Sequence, residues 1–243
     1  MKQATPVDSG FLAMMAASSR ARVEAARREV SEAALLDRAL ALPAPPRLRL
    51  SPQGFDLIAE VKLRSPALGA LRGTDEDVAA RVTQYVEAGA AAISVLTEPS
   101  RFDGTLEHLQ IAAHALGNRA PAMRKDFLVD PYQVIEARVA GAGGVLVILR
   151  MIPPEAIAAL LDMAARLGLF VLLEAFDEAD LALAEKFLQT HRANALQADA
   201  PLLLGINSRD LMTLQVVPDR LLQLAEHLPR NAPRVAESGV ETA

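Results

Sequence analysis

The chain has 243 residues, 51% of them hydrophobic, enough for one large domain or two small ones with a sizeable core. Its net charge of -5 is spread without a basic face, which argues against a general nucleic-acid binder, and no apolar run reaches the ~18 residues that a membrane-spanning helix needs. Cys is absent, which excludes disulfides and thiolate chemistry and suits a reducing cytoplasm; with no Trp and two Tyr, the core must be built from Ala, Leu, Val and Ile.

Residues 9–42 read as helix. "FLAMMAA" (11–17) could pass for a short signal-peptide core, but only Lys2 precedes it and the Arg-rich stretch behind it keeps helical periodicity. A proline-rich connector follows over 43–55. Seven strands are then expected, over 57–62, 91–97, 121–125, 144–149, 169–174, 202–207 and 234–237, six of them followed by a helix. Three segments repeat one plan: "VEAGAAAISVL" (86–96), "RVAGAGGVLVIL" (138–149) and "ARLGLFVLLEA" (165–175) each join a helix end, a Gly and an unbroken apolar run. The Gly suits a left-handed helix terminus, and the run suits a strand of a parallel sheet buried on both faces. Helix starts lie between: Thr74 with Asp77 as a capping box, Asp130 before Pro131, Pro153–Pro154, and Pro218 ahead of "DRLLQLAEHL".

Repeated βαβ units close either as a doubly wound open sheet or as a (β/α)8 barrel. The open dinucleotide-binding sheet should carry G-x-G-x-x-G after its first strand, and none is present. The expected fold is therefore α/β, a (β/α)8 TIM barrel with an extra N-terminal helical segment. The chain forms one domain: the 9–42 extension, the connector, and a barrel from 56 to 243.

In such barrels chemistry sits at the C-terminal strand ends. Here those ends carry Glu60 and Lys62 on one side of the first strand, Thr97 and Glu98, Lys125, Glu174, Asn207 and Arg209, and then Glu237, Ser238 and Gly239. One charged end alone is as readily structural as functional; two lysines and several carboxylates converging on one rim favour a site. Thr97 and Glu98 are as well explained by a loop cap, and Arg124 is better explained as directed outward or into a salt bridge than as catalytic. Of 25 basic residues only Lys2, Lys62, Lys125 and Lys186 are lysines, and two of these four fall on the rim. Arg stays protonated at any ordinary pH; Lys can donate a proton once burial or neighbouring charge lowers its pKa. The four histidines, His108, His114, His191 and His227, fall on helices or loops and are expected at the surface, with no metal-ligand spacing.

The ordered motifs "IAEVKLRSPALG", "ISVLTEPSRFDGTLEHL", "RKDFLVDPYQVIEARVAGAGGVLVI", "LLEAFDEADLALA", "LGINSRDLMTLQV" and "VAESGV" resemble those of the indole-3-glycerol-phosphate synthases, enzymes of tryptophan biosynthesis, from about residue 9 onward. The resemblance implies ring closure of 1-(2-carboxyphenylamino)-1-deoxyribulose 5-phosphate to indole-3-glycerol phosphate, with loss of CO2 and water and no metal or organic cofactor. It implies Lys125 as general acid on the ketone oxygen, Glu174 as base, and Lys62 and Glu60 in the remaining proton transfers. Ser65, Phe102, Phe127, Leu146 and Leu211 would line the anthranilate pocket. Asn207, Arg209, Glu237 and Ser238 would contact the polar part of the substrate, and Gly239 N–H with Lys62 the phosphate. A cytoplasmic monomer acting on a small phosphorylated molecule, with neither nucleic acid nor membrane as partner, is the accompanying expectation.

The sequence departs from the family at Ala67 and Leu68, where Ser and Lys are common, at Phe176, where His is common, and in a long connection before the sixth strand. It also stops at "ESGVETA", where a seventh helix should begin, so the final βα unit is missing from the chain. A fragment or a truncated gene is the expectation. The alternative functional reading is a truncated barrel without activity, kept as a structural or interaction element; the Lys62, Lys125 and Glu174 set with "INSRD" speaks against a sugar-phosphate isomerase.

Overall fold

The computed structural model describes residues 10–65, 69–71, 77–194, 201–211, 213, 215–229 and 232–239. Two helices come first, α1 (Phe11–Glu29) and α2 (Glu32–Ala41). The single expected helix over 9–42 is broken because Ser31 caps a new one, its hydroxyl accepting from Ala34 N at 3.3 Å. The barrel part runs β1 (Ile58–Val61), α3 (Val78–Glu87), β2 (Ala92–Leu96), α4 (Pro99–Phe102), α5 (Leu106–Leu116), β3 (Ala122–Lys125), α6 (Pro131–Val139), β4 (Gly144–Ile148), α7 (Pro154–Arg166), β5 (Phe170–Ala175), α8 (Glu178–Asn194), β6 (Leu202–Asn207), α9 (Arg220–Leu224) and β7 (Arg234–Glu237). A two-residue hairpin, Arg64–Ser65 against Gly69–Ala70, follows β1 and has no counterpart in the expected elements.

All seven strands lie parallel in one sheet, in simple sequence order. A doubly wound sheet would reverse its order at a switch point, so the order is that of a (β/α) barrel. The sheet is strongly curled: the Lys125 ammonium on β3 reaches carboxylates on both β1 and β7. Strands β2, β4 and β5 are buried along their whole length, as their unbroken apolar runs require, whereas β1 and β7, each with one sheet neighbour among the described residues, are partly exposed. The repeated glycines Gly89, Gly141 and Gly168 close α3, α6 and α7 with φ of +95°, +90° and +71°, values that a Cβ would strain.

Two helix starts differ from expectation. Asp77 itself caps α3, accepting from Ala80 N at 2.9 Å, while Thr74 lies outside the described residues. The helix after Pro218 is short, α9 passing into a 3-10 turn at Ala225–His227, because Asp219 stands in the left-handed region and makes no side-chain cap. Asp130 caps α6 as expected, with Pro131 in its first turn. Helix α1 docks on the barrel through Met15, Ala16, Ser19 and Val23, and the Tyr132 hydroxyl donates to Ala26 O at 3.1 Å or Val30 O at 2.9 Å at its C-terminal end.

Candidate active site

Parallel strands threaded in order carry their C-terminal residues to one rim, and that is where the charges stand. Lys62 Nζ lies 2.5 Å from Glu60 Oε1, and Lys125 Nζ lies 2.9 Å from Glu60 Oε2. Alternation along β1 places Glu60 and Lys62 on one side, so a single carboxylate bridges both ammonium groups. Lys125 Nζ is also 3.6 Å from Glu237 Oε2 at the end of β7. Glu174, buried near the end of β5, accepts from Asn207 Nδ2 of β6 at 2.5 Å. Asn207 is held in turn by its Oδ1, which accepts from Arg209 N at 2.8 Å.

The electrostatics sort these groups. Burial alone would raise the Glu60 carboxyl, but Lys125 and Lys62 override it and hold Glu60 down at about 2. Burial raises Glu174, against the pull of Lys125. Burial, then the Glu174 charge, pushes Glu237 up to about 8. Glu237 and Glu174 thus sit close enough for their charges to oppose each other, and Glu174 is in addition held by its hydrogen bond from Asn207. Lys125 behaves opposite to the expectation that its pKa falls. Burial would lower it, but Glu60, Glu237 and Glu174 outweigh burial and keep it protonated well above the usual lysine range. Sequence spacing shows the lysine; it does not show that three carboxylates surround it.

Behind the rim runs a second charged network. Arg124, 1% exposed, points away from the barrel interior and donates to Thr97 Oγ1 at 3.1 Å, Asp126 Oδ2 at 3.0 Å, Glu136 Oε2 at 3.0 Å and Gln133 O at 2.8 Å. Asp126 also receives both arms of Arg22 from α1, at 2.7 and 2.8 Å, together with Thr97 Oγ1 at 2.8 Å. Thr97 thus belongs to this network, and Glu98 is a cap, accepting from Ser100 N at 2.9 Å and Arg101 N at 2.7 Å at the start of α4. A cavity of about 260 Å³ between α1 and this network, lined by Arg22, Thr97, Arg124, Gln133 and Glu136, lies apart from the lysine–carboxylate set.

Phe102 and Phe127 pack with centroids 6.1 Å apart, and Phe11 of α1 meets Phe127 edge-on at 5.7 Å. Phe11 escaped the sequence reading because nothing local marks a residue on the N-terminal helix as reaching the rim. Phe11→Ala should raise KM roughly 2- to 12-fold with little change in kcat, as expected for loss of an aromatic pair of about 0.5–1.5 kcal/mol, measured by steady-state kinetics. Leu146 is buried on β4, Leu211 is partly buried after β6, and Ser65 sits in the small hairpin. Ser238 and Gly239 follow β7 with φ of +60° and +67°, and a Cβ on Gly239 would stand 2.5 Å from Val216 Cγ1, so the chain there passes close to the loop after β6. Phe176 carries the Arg150 guanidinium 4.8 Å over its ring, and Arg150 bridges to Asp180 at 2.8 Å. His114 and His227 are exposed, His227 lying 3.3 Å from Glu178; the His191 side chain, Ala67, Leu68 and residues 195–200 fall outside the description.

A parallel barrel sheet with lysines and carboxylates interlocked on its C-terminal rim is the arrangement of a (β/α)-barrel enzyme, a class that holds its chemistry at that rim. The family model for indole-3-glycerol phosphate synthase matches residues 12–243. Curated indole-3-glycerol phosphate synthases are similar: that of Salinibacter ruber is 42% identical over 79% of this chain and 66% of its own length. That of Parafrankia sp. is 40% identical over 91% and 78%, and that of Methanopyrus kandleri 43% identical over 80% and 72%. Among solved structures, Xanthomonas albilineans dihydropteroate synthase with 4-aminobenzoic acid superposes with a TM-score of 0.51 at 21% identity, covering 79% of this chain and 76% of that one, a likeness of fold alone. The chain belongs to the indole-3-glycerol phosphate synthase family, whose function is that of a carboxy-lyase in tryptophan biosynthesis.

Proposed function

We propose that the chain closes the indole ring of 1-(2-carboxyphenylamino)-1-deoxyribulose 5-phosphate with Lys125 as general acid and Glu174 as general base. The observation that carries this reading is the single Lys125 ammonium held between Glu60 and Glu237, beside the buried Glu174. The anthranilate ring lies against Phe102, Phe127, Leu146 and Leu211, with Ser65 at its edge. Its carboxylate-bearing carbon attacks the ketone carbon; Lys125 protonates the ketone oxygen as that bond forms. CO2 leaves, and its bonding electrons restore the aromatic ring. The new hydroxyl then departs as water on a proton from the Lys62–Glu60 pair, while Glu174 takes the ring-adjacent proton. A lysine with a raised pKa remains competent here, because the alkoxide it forestalls is a far stronger base than an amine.

Asn207 keeps the Glu174 carboxyl aimed; Arg209, Glu237 and Ser238 meet the polyol; Gly239 N–H and Lys62 meet the phosphate. Residues 1–243 act as one domain, and we place it as a cytoplasmic monomer, a setting that the cysteine-free sequence suits. The test is to incubate the chain with the carboxyphenylamino substrate and follow indole fluorescence. Turnover is expected, with Glu174→Gln reducing kcat about 10²- to 10⁴-fold. A folded chain that gives no product overturns the proposal that residues 1–243 carry the activity; Glu174→Gln at native rate removes Glu174 from the base role.

A further inference from the structure

Gly205 is the one non-terminal glycine of β6, and its φ lies outside the left-handed range, so backbone conformation does not demand glycine there. Its neighbours do. Gly205 pairs with Glu174 on one side and Val235 on the other, two residues before Glu237. A Cβ built on Gly205 would stand 2.1 Å from Glu237 Oε1 and 3.1 Å from Leu172 Cδ1. The Glu237 side chain thus leans back across β6 through the space where a side chain would be. From there its other oxygen reaches Lys125 at 3.6 Å. The oxygen over Gly205 is buried and has no hydrogen-bond partner among the described residues. The gap above Gly205 is what admits it.

We propose that Gly205 is a positioning residue: the absence of a side chain at this point of β6 lets the Glu237 carboxyl enter the rim between Glu174 and Lys125. The inference rests on the reading that Glu237 works at the substrate-binding rim. The clash is with the far end of a flexible side chain and not with backbone, so Gly205→Ala should fold; the carboxyl moves and the strand stays.

Two measurements test this. Gly205→Ala should keep the native melting temperature within a few degrees and lose about tenfold or more in kcat/KM for indole formation. In the Glu237→Ala background the same change should have little further effect, because the group it displaces is gone. Separately, carbon-13 NMR of the Glu237 carboxyl should show its titration midpoint falling toward the ordinary carboxylate range in Gly205→Ala, as the group leaves Glu174 and the buried rim. That readout needs no turnover, so a chain inactive for other reasons still answers the question. Equal losses from Gly205→Ala with and without Glu237, or an unmoved midpoint, overturn the proposal. If the single substitution fails to fold while the double variant folds, the steric conflict stands; if both fail, β6 itself requires glycine and the proposal falls.

Discussion

Lys125→Arg should fold and lose about 10²- to 10⁴-fold in kcat, the range expected for removing a general acid. The substitution keeps the positive charge that Glu60 and Glu237 require, so the rim retains its ion pairs at 2.9 and 3.6 Å in some form. What it removes is a proton that can be given up, since a guanidinium stays charged throughout the working range. This separates charge from acidity, which Lys125→Ala would not: alanine would leave Glu60 with Lys62 alone and Glu237 with no cation at its carboxyl, and any loss could be blamed on the collapse of the rim. Steady-state kinetics beside a thermal melt measures both sides. Near-native turnover in the arginine variant would remove Lys125 from the acid role.

The largest stability effect is expected at Asp126. This carboxylate accepts from Arg22, Arg124 and Thr97 and from Phe127 N at 2.8 Å, with no side-chain exposure. Asp126→Asn preserves shape but leaves two arginines facing a neutral amide. Removing one partner of a buried ion pair costs about 3–5 kcal/mol, which for a chain of this length lowers Tm by roughly 6–20 °C. The pH dependence has a definite sign. Burial alone would raise the Asp126 carboxyl, but Arg22 and Arg124 hold it well below the ordinary aspartate range. Its contribution is then present above the ordinary aspartate pKa of 3.8 and lost as pH falls through the depressed folded value. The Tm gap between native and Asp126→Asn should be steady from about pH 7 to 5 and narrow below about 4. A gap below 2 °C at pH 7 would mean that the two arginines find other partners. Because the network ties α1 to the residue beside Lys125, Asp126→Asn should also lower kcat, and less than Lys125→Arg does.

The sequence by itself determined the strands. Apolar runs behind a helix-ending glycine are local signals, and each of the seven observed strands lies within one residue of its expected bounds at either end. It also determined that the charged residues share one rim, because strands threaded in order bring their C-terminal residues there whatever the helices do; which of them pair, Glu60 with Lys62 and Lys125, and Lys125 with Glu237, it did not show. Local signals were incomplete at helix ends: Asp77 itself caps α3, and the helix over 9–42 breaks at Ser31. Gly205, a lone glycine within β6, carried no meaning until the structure showed the Glu237 carboxyl over it.

Only the tertiary structure decided the protonation of the site, and for Lys125 it reversed the expectation. A pKa depends on the sum of burial and of every charge within a few ångströms, and that sum runs over strands far apart in the chain. Glu60 is 65 residues from Lys125. It decided likewise which partners the outward Arg124 finds, Asp126 and Glu136, and that Arg22 and Phe11 of the N-terminal helix reach across to Asp126 and Phe127. Alternation along a strand says that neighbours point to opposite sides; which side carries solvent, substrate or another helix is set by what packs against each face.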